Sequence, residues 1–215
     1  VLKASNFGVP QKRERVFIVG FRNDLNIHWS FPRSTHSNDS LLWDQWVTGK
    51  YWERLKVNNN DRPPLKISPE KISSRLLKKY GLFKPEEKPW VTVREAIHDL
   101  PSPKNKNTLS NHVFKDGAKS YPGHTGSPID EPSKTLKAGD HGVPGGENMI
   151  RFNDNSIRYF TIREAARIQT FPDDYHLSGA WSECMRQLGN AVPVTLAEVV
   201  SKSVYIALSR FDNTI

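Results

Sequence analysis

Residues Val16-Phe17-Ile18-Val19 form an unbroken apolar run, and they lack the alternation of a strand with one wet face. A β-branched and aromatic run of this kind predicts a strand buried on both faces, as in the sheet of an α/β domain. Just before it, Gln11, Arg13 and Arg15 are spaced by two. On an extended backbone they project from one side, with Lys12 and Glu14 on the other. The run is far shorter than the roughly 20 residues that span a bilayer. No secretory hydrophobic segment is present, so no membrane association is expected.

The 215 residues, 36% of them hydrophobic, suffice for one medium domain or two small ones. A formal charge of +8 and a pI of about 9.6 favour a polyanionic partner with salt-dependent affinity. A merely soluble basic surface is the other reading of the same charge. Cys184 is the only cysteine, which excludes an intrachain disulfide and a cysteine-based zinc site and fits a reducing, cytosolic location. His112, His124 and His141 have neither helical spacing nor cysteine neighbours, so no metal site is expected. The first residue is Val1, not Met, and it opens directly into motif-like sequence, which reads as a cut or a processed junction.

From about Phe31 to Pro69 the chain is rich in Asn, Ser, Pro and Trp, and loops with short elements are expected. Lys71 to Tyr80 predicts an amphipathic helix, with Ile72, Leu76 and Tyr80 on one face and Gly81 as its stop. Lys71, Arg75 and Lys78 share another face, read as solvated. Thr92-Val93-Arg94-Glu95 and Thr161-Ile162-Arg163-Glu164 have capping-box spacing. The first opens a helix ending before Pro101, the second a helix that Pro172 ends. Between them, Ser102 to Asn155 is rich in Gly, Pro, Asn and Ser, a composition suited to an irregular, loop-based surface. After Pro193, residues Leu196, Val200, Val204, Ala207, Leu208 and Phe211 lie on one arc of a final helix, which should pack that side on a core.

Three groups of residues together resemble the last blocks of a DNA (cytosine-5)-methyltransferase. Asn6-Phe7-Gly8-Val9-Pro10 followed by Gln11-Lys12-Arg13-Glu14-Arg15 resembles the eighth block. Arg163-Glu164-Ala165-Ala166-Arg167-Ile168-Gln169-Thr170-Phe171-Pro172 resembles the ninth. Gln187-Leu188-Gly189-Asn190-Ala191-Val192-Pro193 resembles the tenth. The resemblance implies that Arg15 helps hold an extruded cytosine and nearby backbone, with Arg13 and Gln11 supporting it. A planar, permanently charged guanidinium suits carbonyl and phosphate oxygens; a surface pair flanking a strand is the other reading. Arg163 and Arg167, at i and i+4, face the same way and would brace a neighbouring loop as structural support.

In the tenth-like block the resemblance implies that Asn190 and Ala191 approach S-adenosyl-L-methionine, with Gly189 permitting a tight turn. The same residues also read as a helix C-cap before a proline-started helix, and both can hold. The intervening stretch resembles the family's target recognition region through Pro132-Ser133-Lys134-Thr135-Leu136 and the glycine-rich 139–146. Lys134, Thr135, Leu136, Lys137, His141 and Gly142 are its candidate DNA contacts, although the glycines also suit tight turns.

The resemblance implies an α/β fold: the C-terminal part of a Rossmann-like, S-adenosylmethionine-dependent methyltransferase sheet, plus a small irregular α+β target recognition domain. Residues 1–30 and 159–215 would belong to the catalytic domain, and 31–158 to the connecting segment and recognition domain. In the family a thiolate attacks carbon 6 of a flipped cytosine, and carbon 5 then takes the methyl group. The family's Pro-Cys-Gln nucleophile, its Glu-Asn-Val block and its glycine-rich first block do not occur here. Cys184, in Ser182-Glu183-Cys184-Met185, reads as packing. The expectations are therefore double-stranded DNA as one partner and an N-terminal methyltransferase half or subunit as the other. That half would carry the nucleophile and most of the cofactor site, in a cytoplasmic, restriction-modification setting. A non-catalytic, sequence-specific DNA-binding module is the alternative, and an RNA-binding protein a weaker third.

Overall fold

The computed structural model describes residues 1–105, 109–138 and 148–212, with side chains through Ser209. Its mixed α/β architecture rests on three small sheets and three apolar clusters rather than on one broad sheet.

The first cluster is N-terminal. Strand β1 (Leu2–Lys3) pairs antiparallel with β2 (Glu14–Arg15), Leu2 opposite Arg15. The turn between them buries Ala4 and Phe7, which pack with Val9 and with Leu196 from the far end of the chain. Beyond β2 the expected doubly buried strand is absent. Val16 and Ile18 are 70% and 93% exposed, and the run pairs with nothing among the described residues. The composition suits a central strand, but a central strand needs neighbours on both edges, and the described chain supplies none.

The second cluster lies between β3 (His36–Ser37) and its parallel partner β4 (Lys88–Pro89). Helix α1 (Asn38–Leu42) starts at Ser37, whose hydroxyl accepts from the Ser40 amide. A π-turn (Trp43–Val47), α2 (Lys50–Arg54) and α3 (Pro69–Tyr80) follow. Leu41, Tyr51, Trp52 and Trp90 form the core, and the Trp52 indole donates to the Gln45 carbonyl. The stretch expected to hold loops with short elements does so, its short helices wrapped on an aromatic core. In α3, Leu76 is buried, Lys71, Arg75 and Lys78 are exposed, and Gly81 stops the helix at φ +64°.

The third and largest cluster joins α4 (Val93–Ile97), β5 (Ser127–Pro128), β6 (Met149–Arg151), β7 (Ile157–Tyr159), α5 (Ile162–Ile168) and α6 (Trp181–Asn190). β6 is central, parallel to β5 and antiparallel to β7. Both capping boxes form: Thr92 and Thr161 each accept from the amide of the glutamate three residues on, which reaches back to the cap amide. Helix α5 stops at Ile168, earlier than Pro172 required, because Thr170 takes a left-handed φ of +58°. Cys184 is buried in this cluster, and burial pushes its thiol pKa up. Ile129, Leu136 and Ile150 share the core with Ala165, Ile168 and Leu188, so packing is continuous across residue 159.

Helix α7 (Val194–Asp212) completes the chain. Only its first turns are covered: Leu196 and Val200 are buried, whereas Leu208 and the neighbouring Tyr205 and Ile206 are exposed. The expectation that the whole arc packs on this chain's own core therefore holds for two turns only. Within Trp181–Ser209 lies an 18-residue window of mean hydropathy 1.4, long and apolar enough to cross a membrane. The segment is not one helix, however: α6 ends at Asn190 and Ala191 is extended, with ψ 151°.

Candidate functional site

Arg13 joins the eighth-like block to the Thr135-Leu136 segment and to the tenth-like block. Its side chain is fully buried, and its guanidinium donates to the Leu136 carbonyl at 3.3 Å and to the Gly189 carbonyl at 2.5 Å. Buried carbonyls need donors, and a fork with several N–H groups can serve two backbone segments at once. Alternation along the extended chain also puts Gln11 inside, fully buried, with neither amide atom paired. As placed, Arg13 and Gln11 hold the joint together and present no surface to a substrate.

The 132–136 segment lies along this strand. The Lys12 amide donates to the Ser133 carbonyl at 2.8 Å, and the Ser133 amide to the Pro10 carbonyl at 2.9 Å. The Thr135 hydroxyl donates to the Lys12 carbonyl. Two residues on, Asn148 brackets Lys137, accepting from its amide at 3.1 Å and donating to its carbonyl at 3.3 Å. Beneath this segment sits Gly189, and its role differs from the expected tight turn. It is helical and buried, and a Cβ there would lie 2.5 Å from the Ala138 nitrogen. The glycine is needed because two backbones meet.

Arg15 and Asn190 occupy different surroundings from Arg13. Arg15 is half-buried, its guanidinium donates only to the Glu14 carbonyl among the described residues, and burial lowers its pKa. Asn190 is exposed at the C-terminal end of α6, and Ala191 carries the chain away extended. An exposed amide with both a donor and an acceptor, beside a bare backbone turn, is a donor set that fits a polar cofactor such as S-adenosyl-L-methionine.

Among the candidate DNA contacts, Leu136 is a correction: it is 1% exposed and belongs to the main core. Its chain neighbours are more open. Lys134 is half-buried, with its amino group 3.3 Å from the Thr125 hydroxyl, and Lys137 is exposed. His141 and Gly142 lie outside the described residues. His112, buried and bonded to the Thr161 hydroxyl and the Pro101 carbonyl, is a structural histidine. No metal-binding cluster occurs among the described residues.

The two arginines of α5 grip loops. Arg163, fully buried, donates to the carbonyls of Ser110, Pro172 and Tyr175. Arg167 forks onto Asp173 at 2.9 and 2.6 Å and also reaches Asp99 and the Ala96 carbonyl. Its hydrogen bonds hold both carboxyls below the usual carboxylate range.

One network has no motif to announce it. Asp130, 3% exposed, accepts from Arg94 through both oxygens, from the Tyr51 hydroxyl at 2.8 Å and from the Asn153 amide at 2.7 Å. The Asp130 carbonyl accepts from Gln45. Burial, then the Asp130 charge, pushes the Tyr51 pKa up, keeping it a donor. This network fastens the aromatic cluster to the turn after β5 and to the loop between β6 and β7, and no pattern in the sequence points to it. Beside it a cleft of about 410 Å³ is lined in part by Lys3, Lys12, Trp46, Trp90 and Arg151. Lys12 is paired with Glu131 and Lys3 sits over the Trp90 ring, and neither Arg15 nor Asn190 lines the cleft.

Comparison with known proteins places this geometry. The chain is 34% identical over 214 residues to the Type II methyltransferase M.Eco47II of Escherichia coli, covering 99% of this chain and 46% of that protein. It is 32% identical to M.Sau96I of Staphylococcus aureus, covering 99% and 44%, and 31% identical to M.NgoFVII of Neisseria gonorrhoeae, covering 95% and 48%. The chain thus spans a little under half the length of these relatives. The family model for C-5 cytosine-specific DNA methylases matches residues 1–205, the joint around Arg13 included, and the chain belongs to that family.

Proposed function

We propose that this chain is the target-recognising portion of a DNA (cytosine-5)-methyltransferase. In this reading it positions a flipped cytosine and part of the cofactor site, while an N-terminal half carries the nucleophile. The supporting observation is Arg13: one buried guanidinium joins the eighth-like block, the Thr-Leu recognition segment and the tenth-like block. Arg15, two residues after Arg13, is half-buried, and Asn190, next to Gly189, is exposed.

Each residue then has a distinct task. Arg15, charged at any working pH, holds the cytosine carbonyl or an adjoining phosphate. Asn190 and the Ala191 backbone hold one edge of S-adenosyl-L-methionine, which supplies the methyl group when bound. Lys134 and Lys137 contact the duplex, and the glycine-rich 139–146 approaches it. The domain division of 1–30 and 159–215 as catalytic, 31–158 as recognition, belongs to the same proposal, although α5 and α6 side with the recognition strands by packing. The exposed Val16, Ile18 and outer face of α7 are the surfaces a Rossmann-like N-terminal half would cover. A cytoplasmic restriction-modification setting belongs to the same proposal, supported by the Type II methyltransferase names of the relatives.

The test is a pair of substitutions in the enzyme reconstituted with an N-terminal half. Asn190→Ala should raise the KM for S-adenosyl-L-methionine while leaving duplex affinity within about twofold. Arg15→Ala should lower kcat by roughly 10²-fold, the scale for removing one preorganised donor. If Asn190→Ala instead abolishes duplex binding and leaves cofactor binding intact, the chain is a DNA-binding module and not part of an active site.

A further inference from the structure

The charge of this protein is concentrated in one place. Between residues 50 and 84 there are ten Lys and Arg against three Asp and Glu, a net +7 out of the chain's +8. The other 180 residues carry 21 basic and 20 acidic side chains. This segment contains α2 and α3 and lies wholly outside the three motif blocks and the Thr-Leu recognition segment.

We propose that the helical segment bearing α3 is a second duplex-contacting surface, a phosphate clamp for DNA flanking the recognised sequence, with Lys71, Arg75 and Lys78 as its central stripe. The proposal rests on the methyltransferase reading above and adds to it a contact surface on a different element.

Four observations carry it. The stripe is exposed along one face of a 12-residue helix, whose opposite face is fixed by buried Leu76 and by the Ser73 hydroxyl donating to the Trp46 carbonyl. Most of its charge is not spent internally. Lys71 and Lys78, like Lys50, Lys56 and Lys66 in the same segment, have no acidic partner among the described residues, and Arg75 reaches Asp39 only at 3.8 Å. Arg54, Lys79 and Lys84 are offset by Glu95, Asp39 and Asp44 from outside the segment, and the remaining positive charge still favours a polyanion. At the end of α3, Leu82 and Phe83 are 90% and 83% exposed, next to Lys84. Apolar side chains beside basic ones are what groove contact uses along with phosphates.

The fourth observation is mechanical. The Asp130 network ties this segment to the turn just before Ser133 and Lys134: the Tyr51 hydroxyl donates to Asp130, and the Asn153 amide donates to both Asp130 and the Asp61 carbonyl. The segment is therefore a rigid outrigger of the recognition segment, and seating it on phosphates fixes the angle at which that segment meets the bases. Backbone contacts position and base contacts specify.

The decisive experiment is fluorescence anisotropy of the 215-residue chain with a labelled 30-base-pair duplex across a range of salt. The triple variant Lys71→Gln, Arg75→Gln, Lys78→Gln is set against a control with equal charge loss at exposed Arg22, Arg33 and Lys202. Each lost phosphate contact should make the slope of log affinity against log salt shallower by about 0.9. The stripe variant should therefore lose about 2 to 3 from its slope, and the control much less, with both melting like the parent. Equal losses in the two triples would reduce the effect to net charge and overturn the proposal. So would an unchanged slope, no duplex binding even at low salt, or tighter binding of single-stranded RNA or an acidic protein. Methyl transfer is not the readout, so failure here leaves the methyltransferase reading to its own test.

Discussion

At the scale of single residues, the joint around Arg13 shows how one alternating pattern divides structural from functional work. Gln11, Arg13 and Arg15 were legible in the sequence as one side of an extended chain, and they do share it. How deep each lies was not legible, because that depends on Leu136 and Gly189, more than 120 and 170 residues away. Arg13→Met should cost at least 2 kcal/mol by denaturant unfolding, since two buried carbonyls lose their donor at roughly 1–3 kcal/mol each. Arg13→Lys should recover only part, because an ammonium cannot span both carbonyls as a fork does. Gly189→Ala should destabilise by about 1–3 kcal/mol through overpacking against backbone that cannot turn aside. A Gly189→Ala protein as stable as the parent would mean that the Lys137–Ala138 segment does not lie on α6.

At the scale of elements, local signals fared best where the chemistry itself is local. Both capping boxes and the α3 stop at Gly81 depend on residues within a few positions, and all three form as the sequence predicts. Thr161→Ala should cost about 0.5–2 kcal/mol as a lost cap, with His112 losing a partner as well. The Val16–Val19 run failed for the opposite reason: its composition describes neighbours that the described chain does not contain. The Asp130 network went unseen because Tyr51, Arg94, Asp130 and Asn153 come from four separate segments. The α5 loop grip predicts a pH dependence. Arg167 holds the pKa of Asp99 and Asp173 below their unfolded value, so these carboxylates stabilise the fold above about pH 4, near the unfolded aspartate pKa. That contribution falls away as pH drops through the lower folded values. Arg167→Gln should flatten the acid limb of a stability-pH curve; an unchanged limb would show that the pairs are screened away at the surface.

At the scale of the whole molecule, exposed apolar surface occurs at both ends of the chain as well as at Leu82 and Phe83 after α3. The interior of the third cluster is closed, while Val16 and Ile18 at one end and Tyr205, Ile206 and Leu208 along α7 are open. Val16 and Ile18 follow the eighth-like block directly, and the open face of α7 lies on the helix that the tenth-like block starts; the proposed N-terminal half would dock on both. The central claim is that this chain supplies target recognition and part of the cofactor site, and that the nucleophile comes from elsewhere. It is tested most directly by transfer of a labelled methyl group from S-adenosyl-L-methionine to unmethylated duplex DNA, with this chain alone and then mixed with an N-terminal methyltransferase half. The account predicts transfer to cytosine carbon 5 in the mixture and none with the chain alone. Transfer by the chain alone, or none in a mixture that still binds duplex, would contradict it.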